Sequence, residues 1–173
     1  FELAIAAQGD DLRPTLTRAL EMIVARWWEQ AGEHGRASEA ARRAVDHEAT
    51  HGDALETLAA MQRREPGPAL IETLLRIDAQ DERGLGALRE AAEVALAGGD
   101  DRLELTRVTM VRLYRKAARM WSRAEEARGE LQPEEAARWA LDRLVEICAA
   151  AGEHDQAVRL LLDGATLPID PEI

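Results

Sequence analysis

The tetrapeptide Ala-Gly-Glu-His occurs twice in this chain of 173 residues, at positions 31–34 and 151–154, so the two copies lie 120 residues apart. Glycine permits a tight exit from a helix, and the glutamate that follows it favours the positive end of a second helix. An alanine stands three residues after each histidine, at Ala37 and Ala157, where it allows two helices to touch. The repeated tetrapeptide therefore predicts one helix-to-helix turn used twice, rather than a Glu-His chemical site.

Apolar residues recur at intervals of three and four along almost the whole chain, which is the period of amphipathic helices. Gly and Pro separate these segments, and the β-branched clusters typical of strands are missing. The short connections indicate antiparallel helix hairpins. The predicted helices cover 2–8, 13–31, 36–48, 53–64, 68–79, 85–97, 101–128, 134–151 and 155–164.

Fixed-period similarity appears when the two tetrapeptides are placed at the turn of a helix pair of about 34 residues. Four repeats then start near positions 18, 51, 85 and 138, in steps of 33, 34 and 53 residues. Five core positions of each repeat carry apolar or small residues, Trp28 and Leu161 among them, and Glu104 is the one misfit. The third repeat is lengthened by the long helix 101–128 and the loop 129–133, and Val108 is predicted to lie in its core.

This pattern resembles the tetratricopeptide repeat family, most clearly over 28–37 and 144–157, and the resemblance covers about 12–167. It implies an all-α solenoid of antiparallel helix hairpins, here with one lengthened repeat, in a single domain over 1–173. It also implies a protein-protein interaction module that is not an enzyme. The expected partner is a protein or peptide, held as an extended segment or a helix in the concave groove.

The resemblance also implies which residues line that groove, because the family binds partners through the first helix of each repeat. The corresponding residues here are Met22, Arg26, Glu29, Leu55, Gln62, Arg63, Arg89, Glu93, Trp139, Asp142 and Glu146. This surface carries charges of both signs. Some family members clamp a peptide carboxylate with Lys and Asn, but the chain has one lysine, Lys116, away from this surface, and no asparagine. A clamp of that kind is therefore not expected.

The segment from Arg102 to Arg128 has eight basic residues and three acidic ones, in a chain of net charge -11. At 100° per residue, Met110, Tyr114, Ala117 and Trp121 form one stripe. The opposite face carries Arg112, Arg115, Lys116, Arg119 and Arg123. This basic face is either solvated or paired with the protein's own acidic helices, or it is a docking face for an acidic partner, including a second copy of the chain. The alternative function is therefore self-association, as a scaffold segment of a larger protein.

A third hypothesis comes from His47-Glu48-Ala49-Thr50-His51, which matches the H-E-x-x-H pattern of zinc hydrolases. That chemistry needs an uninterrupted helix through both histidines and a third ligand. The repeat register instead places this stretch in the loop between repeats one and two, with Asp53 as a helix cap. We therefore expect no metal, no cofactor and no catalytic residue.

Composition narrows the remaining partners and the location. A net charge of -11 argues against nucleic acid, since phosphate affinity comes from clustered Lys and Arg. No apolar run approaches the length of a membrane span. The single cysteine, Cys148, excludes a disulfide within the chain and permits a reducing compartment, so the location stays open with the cytoplasm favoured. The chain begins at Phe1, and we expect it to be part of a longer protein.

Overall fold

The computed structural model describes residues 14–47, 52–82, 84–123, 125 and 129–166. Seven of the helices predicted from the sequence lie within two residues of helices in the structure, and the predicted helix 2–8 lies outside the described residues. The helices found are α1 Pro14–Gln30, α2 His34–His47, α3 Gly52–Gln62, α4 Pro68–Gln80, α5 Gly86–Leu96, α6 Leu103–Ser122, α7 Pro133–Ala150 and α8 His154–Ala165, with a 3-10 helix at Gly99–Arg102.

The chain divides into two compact units, Phe1–Gln80 and Asp81–Ile173. Within the first unit α1 packs against α2, α2 against α3 and α3 against α4; within the second unit α5 packs against α6, α6 against α7 and α7 against α8. The predicted fold class, all-α with helices packed in adjacent pairs, is confirmed. The assignment of 1–173 to a single domain stays a prediction.

Both Ala-Gly-Glu-His copies form the same helix-ending turn. Gly32 has φ 78° and Gly152 has φ 75°, in the left-handed region that glycine adopts without steric cost. The Gly32 and Glu33 amides donate to the Glu29 and Trp28 carbonyls, at 3.1 and 2.9 Å. The second copy repeats these two bonds, from residues 152 and 153 to residues 149 and 148, at 3.1 and 2.8 Å. This is the Schellman pattern of helix termination, and it confirms the turn interpretation.

The core of the first unit is rich in alanine, which lets α1 and α2 approach closely. Five alanines on these two helices are fully buried, and four of them share one core cluster with Leu55 of α3. Trp28, predicted to lie in the core, is partly buried against this cluster. A charged pair also joins α1 to α2. The carboxylate of Glu21, whose residue is 3% exposed, accepts hydrogen bonds from Arg43 Nε and Nη2 at 2.9 and 3.0 Å.

The second unit departs from the predicted register in its long helix. Glu104 and Val108 are exposed, while Thr106, Met110 and Leu113 are buried, so the core face of α6 is displaced by two residues. The 3-10 helix Gly99–Arg102 lies between α5 and α6, and α6 begins after it at Leu103, two residues later than predicted. The core assignment of Val108 was therefore wrong, and α6 ends at Ser122 rather than at 128.

Lys116 was predicted to lie on the exposed basic face, and that prediction was wrong. The residue is 9% exposed, and its Nζ donates a hydrogen bond of 2.6 Å to the backbone carbonyl of Asp81. A lysine stem of four methylenes can pack along apolar side chains while the ammonium reaches a polar partner. The apolar stripe behaves as expected: Met110 and Ala117 are fully buried, and Tyr114 is partly buried.

The last helix, α8, packs against α7 through Ala157, which is buried as predicted. Leu161 was also expected in the core, but it is 52% exposed, and Val158 and Leu162 beside it are exposed too. These three residues are spaced by three and four, so they form one apolar face. That face points away from α7.

Candidate functional site

The first helices of predicted repeats three and four, α5 and α7, bring predicted binding residues together. Arg89 lies on α5 and Trp139 on α7, and the Arg89 guanidinium lies over the Trp139 ring, 3.4 Å from its centroid. Such a stack is a cation–π contact. Arg89 Nε also donates to Glu93 Oε1, one helical turn further along α5, at 2.6 Å. We call the surface formed by Arg89, Glu93, Trp139, Asp142 and Glu146 the α5–α7 groove.

The solvent-facing charge of the α5–α7 groove is acidic. The side chain of Glu93 is 52% exposed, that of Glu146 is 60% exposed, and Asp142 is exposed as well. Arg143, beside them, forms an ion pair with Glu146. The Trp139 ring is partly buried, so the groove combines a rigid aromatic surface with carboxylates at its edge.

The predicted binding residues of the first unit do not form a comparable surface. Met22 is 7% exposed and Leu55 is fully buried, so they belong to the core and cannot reach a partner. The prediction for these two residues was wrong, because the first helices of this unit turn them toward α2 and the neighbouring core. Arg26 and Arg63 are exposed. Glu29 forms an ion pair with Arg64 of the same unit.

A polar cluster that the sequence did not reveal joins three helices of the first unit. Arg64, just after α3, forms an ion pair with Glu29 of α1 and donates from Nη1 to His34 Nε2 of α2 at 2.9 Å. His34 Nδ1 lies 3.3 Å from Glu29 Oε2. Since His34 Nε2 accepts from arginine, Nδ1 carries the proton and donates it to the carboxylate. Arg64 and His34 are 30 residues apart, and no local pattern connects them.

The four arginines predicted to form a basic face are exposed. Arg112, Arg115 and Arg119 lie on α6, and Arg123 follows its last residue. Arg123 Nη1 is 3.7 Å from Glu125 Oε1, a distance that fits a weak surface ion pair. With Lys116 turned inward, these four arginines are the basic face.

The zinc-hydrolase hypothesis falls mostly on positions that the structure does not describe. His47 is the last residue of α2 and α3 begins at Gly52, while Glu48, Thr50 and His51 lie outside the described residues. Among the described residues, no group of three or more His, Cys, Asp or Glu side chains could hold a metal ion.

Cys148, the other residue with reactive chemistry, is buried on α7. Burial raises the pKa of its thiol, and the nearby Glu153 carboxylate raises it further. A raised pKa keeps the sulfur protonated, and a protonated thiol is a poor nucleophile.

In the part of the chain that the structure covers, no helix is long and apolar enough to cross a membrane.

The described residues form an all-α protein in which successive helices pack in pairs. The sequence matches no protein-family model, and no curated protein matches it. Among solved structures, the chain is similar to one titled "Crystal structure of MamA protein". That similarity has a TM-score of 0.45 and 13% sequence identity, and it covers 86% of this chain and 90% of that chain.

Proposed function

We propose that this chain is a protein-protein interaction module, which holds a peptide or a partner helix in the α5–α7 groove. The observation that carries the proposal is the Arg89–Trp139 stack, 3.4 Å from guanidinium carbon to ring centroid. It joins residues of two successive repeats into one surface. Exposed carboxylates of Glu93, Asp142 and Glu146 surround that surface.

The chemistry of the α5–α7 groove suits protein recognition rather than catalysis. Tryptophan and arginine are enriched among the residues that contribute most to binding, because each presents a large, rigid surface. Trp139 is partly buried and stacked on Arg89, so its ring is already ordered. The ring therefore has little side-chain entropy left to lose when a partner binds. The surrounding carboxylates would orient a partner of complementary charge.

A peptide-display selection against the purified protein tests this proposal. Enriched peptides are labelled, and their affinities are measured by fluorescence anisotropy. We expect Trp139→Ala to weaken binding by about tenfold or more, as truncation of a central aromatic residue commonly does. The matched control is Trp27→Ala, because Trp27 is 52% exposed on α1 in the other unit. Peptides that bind both variants as tightly as the wild type would overturn the proposal.

Self-association is the second candidate function, supported by the exposure of Arg112, Arg115, Arg119 and Arg123 in a chain of net charge -11. A second copy supplies acidic surface in excess, so association through the basic face is physically available. Its test is the reversal of charge at Arg115, Arg119 and Arg123.

A further inference from the structure

A cavity of about 380 Å3 lies at the end of the second unit where α5 stops and α6 begins. It opens between those helix ends and the last turn of α7. Most of its wall is apolar. The residues that line it are Leu96, Gly99, Asp100, Leu103, Thr106, Glu146, Ile147, Ala150 and Ala151.

The cavity lies beside the backbone that links α5 to α6. Gly99 has φ 62° and opens the 3-10 helix that precedes α6. Thr106 is buried, whereas Leu96 and Leu103, which flank the 3-10 helix, are each 39% exposed. Both leucines line the cavity, so water covers them as long as the cavity is empty.

The cavity is continuous with the α5–α7 groove. Arg89, Glu93 and Leu96 are spaced by four and three on α5, so they lie along one face of that helix. On α7, Trp139, Glu146 and Ala150 are spaced by seven and four and share a face in the same way. Arg89 contacts Trp139 at one end of this track, while Leu96 and Ala150 line the cavity at the other. A segment lying along the groove therefore reaches the cavity.

The charges around this track are mostly acidic. Glu146 lines the cavity itself with a side chain that is 60% exposed, and Asp100 lines the opposite wall and is exposed. Glu93 and Asp142 add two exposed carboxylates along the groove. Arg89 is paired with Glu93 and Arg143 with Glu146, so these two cations offset two of the four carboxylates and leave those of Asp100 and Asp142 in excess. A partner with basic residues is complementary to this surface.

We propose that the cavity receives one bulky aliphatic side chain of a partner segment whose neighbouring residues are lysine or arginine. This inference rests on the proposed function, because it names the chemistry of the segment held in the α5–α7 groove. An aliphatic side chain in the cavity shields Leu96, Leu103 and Ile147 from water. Burial of apolar surface of this kind is the main source of affinity in an apolar pocket. The flanking basic residues meet Asp100 at the cavity and Asp142 along the groove.

The experiment uses synthetic peptides of Lys, Arg, Ser and Gly around one central leucine. Each peptide is titrated into the isotope-labelled protein, and binding is followed by two-dimensional NMR. Peptide concentrations up to about 2 mM allow weak complexes to be detected. A second peptide has alanine at the centre, and a third has glutamate in place of every Lys and Arg. The protein variants are Ala150→Leu, which fills the cavity mouth, and Ala149→Leu, its matched control. Both alanines are exposed at the end of α7, and of the two only Ala150 lines the cavity. A thermal melt of each variant checks that it is folded.

We expect the leucine peptide to shift the amide signals of Leu96, Leu103 and Ile147. The alanine peptide should bind about tenfold more weakly or worse, as the loss of apolar groups from a fitted pocket does. Ala150→Leu should weaken the leucine peptide by a similar factor, Ala149→Leu should not, and the acidic peptide should not bind.

Two results would overturn the cavity proposal. If peptides bind and depend on Trp139 but ignore both Ala150→Leu and the central leucine, the groove binds partners and the cavity does not. If no basic peptide shifts the signals of the cavity residues, the cavity does not take this ligand, while the display selection separately decides the function of the groove.

Discussion

Gly152 shows how much a single backbone conformation contributes to this fold. Its φ of 75° lies in the left-handed region, and a Cβ placed there meets nothing within 4 Å. The cost of a side chain is therefore strain in the backbone alone. We predict that Gly152→Val destabilises the protein by about 1–2 kcal/mol, measured by chemical denaturation. His154→Ala should have little effect.

The control for this variant is Gly35→Ala, in the first turn of α2. Gly35 also has open space around its Cβ position, but its φ is not positive. It should leave stability unchanged or slightly increased, because alanine favours helices. The turn interpretation fails if His154→Ala proves more damaging than Gly152→Val.

The Glu21–Arg43 pair gives a second prediction at this scale. The Glu21 side chain is 4% exposed, and both of its oxygens accept from Arg43. Arg43→Ala would leave a buried carboxylate without this counter-charge, and such a change commonly lowers the free energy of unfolding by about 3–5 kcal/mol. Because the Arg43 side chain is 38% exposed, we expect a smaller loss here, of about 2–3 kcal/mol. Urea denaturation measures this loss. Arg42→Ala is the control, because Arg42 is the exposed neighbour; equal losses in the two variants would contradict a special role for the pair.

At the scale of one helix, α6 separates its arginines from its one lysine. Arg115 and Arg119 face solvent, while Lys116 between them turns inward to the Asp81 carbonyl. The exposed arginines repel one another unless they are solvated or paired, and an acidic surface would relieve that repulsion. The helix is therefore suited to weak, salt-sensitive association.

We predict that changing Arg115, Arg119 and Arg123 together to Glu leaves helicity intact and weakens self-association or partner binding. Exposed ion pairs contribute only about 0–1 kcal/mol each, so the effect should fade as salt screens the charges. Sedimentation at low and high salt measures it, with circular dichroism to follow helicity. The control reverses Arg42 and Arg159, exposed arginines on other helices. Two results together would contradict a docking role: a wild type that stays monomeric at every salt concentration, and a variant that binds partners as tightly as the wild type. The basic face would then be a solvated surface only.

At the scale of the whole molecule, a binding module and a metalloenzyme differ in whether the protein holds a metal ion. We predict that the purified protein carries no stoichiometric zinc. We also predict that the double variant His47→Ala, His51→Ala has nearly the same melting temperature as the wild type. A bound metal stabilises the folded state that holds it, so loss of a real site would lower the melting temperature. Elemental analysis of protein purified without chelator supplies the first measurement. One tightly held zinc per chain, lost in the double variant, would revive the hydrolase hypothesis.

Local patterns were enough to predict most helix boundaries and both repeated turns. Helix periodicity and glycine handedness act over a few residues, so Gly32 and Gly152 could be placed at their turns without knowledge of distant contacts. The pairing of adjacent helices followed for the same reason, because short connections leave few alternatives. In the groove, the family resemblance selected Arg89 and Trp139, which the structure then placed in contact.

Tertiary structure decided the features that depend on residues far apart in the chain. Lys116 reaches a carbonyl 35 residues away, Arg43 neutralises a carboxylate 22 residues away, and His34 meets an arginine 30 residues away. The α6 core face lies two residues from its predicted position, and a cavity lies beside Leu103, where α5 ends and α6 begins. A periodic pattern shows that a helix has an apolar face, but the packing of its neighbours determines which residues that face buries. The sequence by itself thus determined the helices and their turns, because those interactions are local, and the packed structure alone decided the charge pairs, the core register and the cavity.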